Sequence, residues 1–208
     1  MFRVRMDRTV PFLLAITMAF LCLPQTDARA QDTKPFFTES CQALFQQEEP
    51  AFLRPMTEMP MVVTFMLGFY TAKGKEDGLQ LLEIANRSDI IPGLIEQCRN
   101  TPADSYLTAL EKTIPTPLET PLENPTPMLF DAACSVVFGP PPKTFLRSPL
   151  EFSLIQHFAL GYYTATNEDL VPAELAVRRD LMVILYDQCM TDLDQPLIDA
   201  IQATVPQA

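Results

Sequence analysis

Phe65-Met66-Leu67-Gly68-Phe69-Tyr70-Thr71-Ala72 decides how this chain is read, because it is written twice. It returns 93 residues later as Phe158-Ala159-Leu160-Gly161-Tyr162-Tyr163-Thr164-Ala165. A self-match of this kind, sustained in its flanks, is the mark of a repeat. Cys41 stands as far before Gly68 as Cys134 before Gly161, and Phe52-Leu53-Arg54 reappears as Phe145-Leu146-Arg147. Downstream, Glu96-Gln97-Cys98 answers to Asp187-Gln188-Cys189, and Thr113-Ile114-Pro115 to Thr204-Val205-Pro206. Only the stretch between Tyr-Thr-Ala and the second cysteine changes length, by two residues. The chain is a tandem duplication of one small domain.

The duplication divides the 208 residues into repeat 1 (36–115), a linker (116–127) and repeat 2 (128–206). Residues 1–30 belong to neither. Arg3, Arg5 and Arg8 precede an apolar run from Pro11 to Leu23, and Ala28-Arg29-Ala30 supplies small residues for cleavage. This is the pattern of a signal peptide, and the run is short for a bilayer span. Cys22 follows Ala19-Phe20-Leu21, bulkier than a lipoprotein anchor prefers. A mature chain starting near Gln31 is expected outside the cytoplasm, with no membrane span after signal removal. It would carry 11 basic and 24 acidic residues, a net charge of −13. Nucleic acid is excluded as a partner, since its binding relies on Lys and Arg against phosphate.

Four cysteines remain in the mature chain, an even number in an exported protein, which reads as disulfides. If each repeat folds by itself, the pairs are Cys41–Cys98 and Cys134–Cys189. With no Cys-x-x-Cys and one histidine, zinc and redox chemistry are not expected.

Helical spacing places Cys41, Leu44 and Phe45 on one face of a helix capped by Thr38 and ended by Glu48-Glu49-Pro50. A central, nearly all-apolar helix starts at Thr57 or Met59 and runs to Lys73, stopped by Gly74. Gly68 costs that helix about 1 kcal/mol relative to Ala. A glycine at this place in both copies predicts close approach of another helix backbone. An amphipathic segment (Glu76 to Ala85), a helix capped by Ser88 and ending at Cys98, and a helix opened by Thr101-Pro102-Ala103-Asp104 complete repeat 1. Five prolines between Pro115 and Pro127 predict a semi-rigid spacer reaching roughly 40 Å at most.

Repeat 2 is expected to follow the same plan. A helix from Met128 to Phe138 is broken by Gly139-Pro140-Pro141-Pro142. Ser148-Pro149-Leu150-Glu151 is a capping box that opens the second central helix, which runs to Ala165. Helices from Pro172 to Cys189 and Asp194 to Thr204 follow. Strand-like alternation is absent. The fold class expected is all-α: two tandem small helical bundles, each with one intradomain disulfide.

Chemistry is scarce. His157 corresponds to Thr64 in repeat 1, so a catalytic role would belong to one copy, and the residue reads as structural. Phosphate loops, nucleophile elbows and zinc spacings do not occur. Glu48-Glu49, Glu76-Asp77 and Glu168-Asp169 fall at helix ends, where carboxylates are solvated. We expect no enzyme, no catalytic residue, no metal and no cofactor. Met56, Met59, Met61 and Met66 crowd the start of the first central helix. Methionine there serves either as core filler or as an adaptable binding surface.

Each repeat resembles the HdeA/HdeB family of small periplasmic acid-stress chaperones. The likeness lies in a cysteine followed by an apolar Leu-Phe (Cys41 to Phe45, more loosely Cys134 to Phe138). After it come the apolar helix ending in Gly-aromatic-Tyr, a spacer and the second cysteine. Cys98-Arg99-Asn100-Thr101-Pro102 is close to the family's turn. The resemblance implies a helical fold with one internal disulfide and no cofactor, inactive at neutral pH and holding unfolding periplasmic proteins in acid. It points to Met59, Val62, Val63, Met66, Phe69, Ile155, Phe158 and Tyr162 as client or interface residues. The family dimerises from single-unit chains, so an intrachain pseudo-dimer is expected here. A neutral-pH module binding one envelope protein through the same helices is the alternative.

Overall fold

The computed structural model describes residues 35–45, 52–120, 122–139, 144–167, 171–178 and 180–206. The leader, with Arg3, Cys22 and Ala28-Arg29-Ala30, lies outside them, as do Glu48-Glu49-Pro50, Pro140 to Pro142 and Glu168-Asp169. Repeat 1 contributes α1 (Cys41–Leu44), α2 (Met59–Lys73), α3 (Leu81–Asn86), α4 (Ile90–Asn100) and α5 (Tyr106–Lys112). Repeat 2 contributes α6 (Cys134–Val137), α7 (Pro149–Thr166), α8 (Pro172–Val177), α9 (Leu181–Cys189) and α10 (Leu197–Ala203). Short 3-10 turns, Phe36–Thr38 and Leu129–Asp131, precede α1 and α6. The chain is all-α, with disulfides Cys41–Cys98 and Cys134–Cys189 as the repeat requires.

The two long helices occupy the centre because their sequences leave no polar face. A helix apolar all round is buried on all sides. α2 buries an unbroken run from Thr64 to Thr71, and α7 buries Phe158 to Tyr163. Thr64 and Thr71 tolerate burial because their hydroxyls donate back to helix carbonyls, Pro60 (2.9 Å) and Leu67 (2.7 Å). The capping box of α7 forms as read. The Ser148 Oγ accepts from the Glu151 N–H at 3.2 Å, and the Ser148 N–H donates to the Glu151 carboxylate at 2.9 Å.

The duplication is legible in the hydrogen bonds. The Tyr70 hydroxyl meets Thr113 Oγ1 at 2.6 Å, and Tyr163 meets Thr204 at 2.7 Å. The Cys41 N–H donates to the Asp104 carbonyl, and the Cys134 N–H to the Gln195 carbonyl. Phe37 stacks on Phe65 in one copy and Phe130 on Phe158 in the other. The two-residue difference falls in the turn after the central helix. In repeat 1 that turn includes Gly78 at φ +82°, a conformation suited to glycine. From α3 and α8 onward the copies align with a shift of 91 residues.

Several expected elements differ. The chain around Cys41 is a 3-10 turn and a single α-turn rather than a helix from Thr38, and Met128 to Phe138 is divided in the same way. Thr101-Pro102-Ala103-Asp104 does not open α5, because its carbonyls are engaged by the backbone of α1: Gln42 donates to Pro102 and Cys41 to Asp104. The cap is Ser105, whose Oγ accepts from the Thr108 N–H. The helix from Pro172 to Cys189 is interrupted at Arg178, whose backbone is extended. The one strand pairing among the described residues is two residues long, Phe138–Gly139 against Thr144–Phe145. Pairing that short leaves no alternation to detect.

From Lys34 to Ala208 the chain forms one unit, and buried residues of both repeats merge into a single core. The proline-rich segment does not run free as a spacer. Arg87 donates to the Thr116 carbonyl, Leu118 N–H donates to the Glu83 carboxylate, and Asn86 exchanges two hydrogen bonds with Thr126. These bonds strap it to α3.

Candidate functional site

The eight residues proposed for client or partner contact all lie on α2 and α7, which pack against each other. Their closest approach is at the two repeated glycines. A Cβ at Gly68 would overlap the backbone of Phe158, and one at Gly161 would overlap the backbone of Phe65. Since 68 and 65 correspond to 161 and 158, the contact is self-complementary. It is what a two-fold dimer of identical subunits would have, made here within one chain. Glycine at these positions lets two helix backbones meet without side chains between them.

Six of the eight are buried: Val62, Met66, Phe69, Ile155, Phe158 and Tyr162. Met59 and Val63 are half-buried. The four methionines separate by depth. Met66 is 2% exposed, Met59 and Met61 are intermediate, and Met56 is 71% exposed. These side chains are therefore part of the single core, and one of them, Phe158, is covered by Phe130 of its own repeat at 4.0 Å between ring centroids. A second contact crosses the seam: the His157 ring stacks on Phe36 of repeat 1, with centroids 5.8 Å apart. His157 Nδ1–H donates to the Ser153 carbonyl at 2.7 Å, which sets its tautomer. Burial pushes its pKa down, with the Ser153 bond and the nearby Glu58 charge opposing. These are the surroundings of a structural histidine.

The charges form pairs that recur in both repeats. Arg54 contacts both Glu58 (2.5 Å) and Glu39 (2.9 Å), and Arg147 pairs with Glu151 at 2.6 Å. Arg87 grips Asp89 with both nitrogens (3.0 and 2.7 Å), and Arg178 grips Asp180 in the same way (3.1 and 2.7 Å). These guanidinium forks hold the Asp89 and Asp180 carboxyls below the usual range. Lys112 lowers Asp104, with help from Thr101. Hydrogen bonds from Ser148, first its N–H, lower Glu151. Asp131 goes the other way, raised by burial. Tyr70 and Tyr163 are pushed up to about 12 by burial, so both hydroxyls stay protonated in their threonine bonds.

Sequence reasoning missed Phe36, Phe37 and Phe130, which pack on Phe65 and Phe158 of the central pair, and the Tyr–Thr bonds that fix the last helix of each repeat on its central helix. Tyr70 with Thr113, and Tyr163 with Thr204, recur in register, and that recurrence was the available signal. Among the described residues, no three His, Cys, Asp or Glu side chains are grouped to hold a metal ion, and no helix is long and apolar enough to cross a membrane. Two disulfides are what a chain carries in an oxidising compartment. Comparison with protein-family models, curated proteins and solved structures gives no match.

Proposed function

We propose that this protein is a periplasmic acid-stress chaperone of the HdeA/HdeB type, delivered by an N-terminal signal peptide, with its two subunits fused in one chain. The observation that carries this reading is the self-complementary contact of two largely apolar helices at Gly68 and Gly161. An interface of this kind hides a large apolar surface and can be opened without unfolding either disulfide loop. The charge pattern supplies the trigger. At pH 2 the 24 acidic residues of the mature chain lose nearly all their charge while the 11 basic ones keep theirs. Ion pairs such as Arg87–Asp89 and Arg178–Asp180 lose their acidic partners, and repulsion among the remaining cations drives the repeats apart. Clients then meet Val62, Met66, Phe69, Ile155, Phe158 and Tyr162. The protein acts without catalysis or cofactor.

The experiment is an aggregation assay of an acid-sensitive client between pH 7 and pH 2. Suppression confined to acid supports the reading. Loosening that protects no client, or capture of one stoichiometric partner at neutral pH, replaces it with the binding-module alternative.

A further inference from the structure

We infer that the outer face of α8, with Arg178 and the groove beside it, docks an extended, proline-bearing segment of another protein. The inference does not rest on the acid-chaperone reading, because it concerns a surface away from the α2–α7 contact.

Repeat 1 provides the template. There the segment after Pro115 lies along α3, held largely through its backbone. Arg87 donates to the Thr116 carbonyl at 2.6 Å, and the Glu83 carboxylate accepts the Leu118 N–H at 2.7 Å. Further along, Asn86 binds the Thr126 N–H and carbonyl. The shift of 91 residues carries Glu83 to Glu174, Arg87 to Arg178, and Asp89 to Asp180. The donor and acceptor of the strap are thus both retained on α8, as is the fork that orients the arginine.

The corresponding face is open among the described residues. Val177 is 75% exposed, Val171 49% and Val183 46%. Beside it is a groove of about 640 Å³, lined by Arg178, Ile184, Val205 and Pro206. Val205 and Pro206 are the counterparts of Ile114 and Pro115, from which the strap departs in repeat 1. The groove therefore starts where a strap would. One position changes the specificity: Val177 replaces Asn86, so the polar clasp on Thr126 becomes an apolar contact. The occupant should be an extended segment recognised by its backbone at Glu174 and Arg178. Prolines keep its other N–H groups from needing partners. An apolar residue should stand where the strap has Thr126.

The test uses the whole oxidised chain at pH 7 and two labelled peptides, the strap sequence Thr116 to Pro127 and its Thr126→Leu version. Fluorescence anisotropy should show saturable one-to-one binding, tighter for the leucine version. Arg178→Ala or Val177→Asp should weaken it by about tenfold or more, since each removes a charge-assisted bond or an apolar contact. Leu53→Asp, on another exposed surface, should leave it unchanged. Val177→Asp alters a solvent-exposed side chain, so an unchanged thermal midpoint certifies the fold. No saturation by millimolar peptide, or binding indifferent to both variants, overturns the inference. So does binding that requires removal of Gln207 and Ala208, which would make the chain's own residues the occupant. Self-association abolished by Val177→Asp would assign the face to a second copy and overturn it equally.

Discussion

Replacing Gly68 by alanine tests whether the two repeats meet as described. In an isolated helix this substitution is favourable by about 1 kcal/mol, because alanine loses less backbone entropy. In this protein the added methyl falls on the carbonyl of Phe158 and close to the Tyr162 N–H. Both neighbours are backbone, so no side chain can rotate away and the helices must separate. Overpacking of this kind costs about 1–3 kcal/mol, and more where the surroundings are rigid. The propensity gain offsets only part, so Gly68→Ala should be net destabilising by about 1–2 kcal/mol. Gly161→Ala should cost the same, because it presses on Phe65 in the mirror geometry. The double variant should cost less than the sum, since one separation relieves both overlaps. Gly93 provides the control. It lies within α4 with nothing within 4 Å of an added Cβ, so Gly93→Ala should stabilise by about 0.5–1 kcal/mol. Urea denaturation of the oxidised chain at pH 7 measures all four. If Gly68→Ala stabilises as Gly93→Ala does, the helices do not touch at the glycines and the account of the repeat contact is wrong.

Removing either disulfide by paired serine substitution should cost about 4 kcal/mol, since each closes a loop of more than 50 residues; unchanged denaturant midpoints would contradict this. His157 has a pKa lowered by burial, so its contribution is complete above the unfolded value near 6.5 and is lost as pH falls through the folded one. His157→Thr, which installs the residue of repeat 1, should abolish the first decline in stability below pH 6.5. Asp89 and Asp180 also have lowered pKa values, so what they add is present above the unfolded value of about 3.8 and lost as pH falls through the folded value. Arg87→Ala with Arg178→Ala should flatten the stability profile below pH 4, whereas a profile as steep as that of the parent would remove these pairs from the trigger. Asp131 works in the opposite sense, and Asp131→Asn should stabilise the protein most near neutral pH.

Much of the architecture could be read from the chain because the duplication doubled every signal. Two glycines in register called for a backbone contact, and paired cysteine spacings called for one bridge per repeat. Ser148 to Glu151 carried its whole capping box in four residues. What escaped detection depended on contacts distant in sequence. The turn at Thr101-Pro102 has the composition of a helix start, but α1 takes its carbonyls, and nothing local records that. The prolines of the linker exclude helix and sheet correctly, yet they do not reveal that Arg87, Glu83 and Asn86 hold the segment down. The central-helix residues were read as a client or interface surface, while the burial of six of the eight in the core followed only from the packing.

The central claim is that acid uncovers the apolar residues of the central helices, and two methionines report on α2 within one molecule. Met66, on α2, is 2% exposed in the core, and Met56, before that helix, is 71% exposed. Peroxide converts accessible methionine to sulfoxide, and mass spectrometry resolves the two sites. At pH 7 Met56 should oxidise much faster than Met66. At pH 2 the two rates should converge, and adding an unfolded client should slow Met66 again. A Met66 that stays as protected at pH 2 as at pH 7 would show that α2 is never uncovered for clients, and would contradict the account.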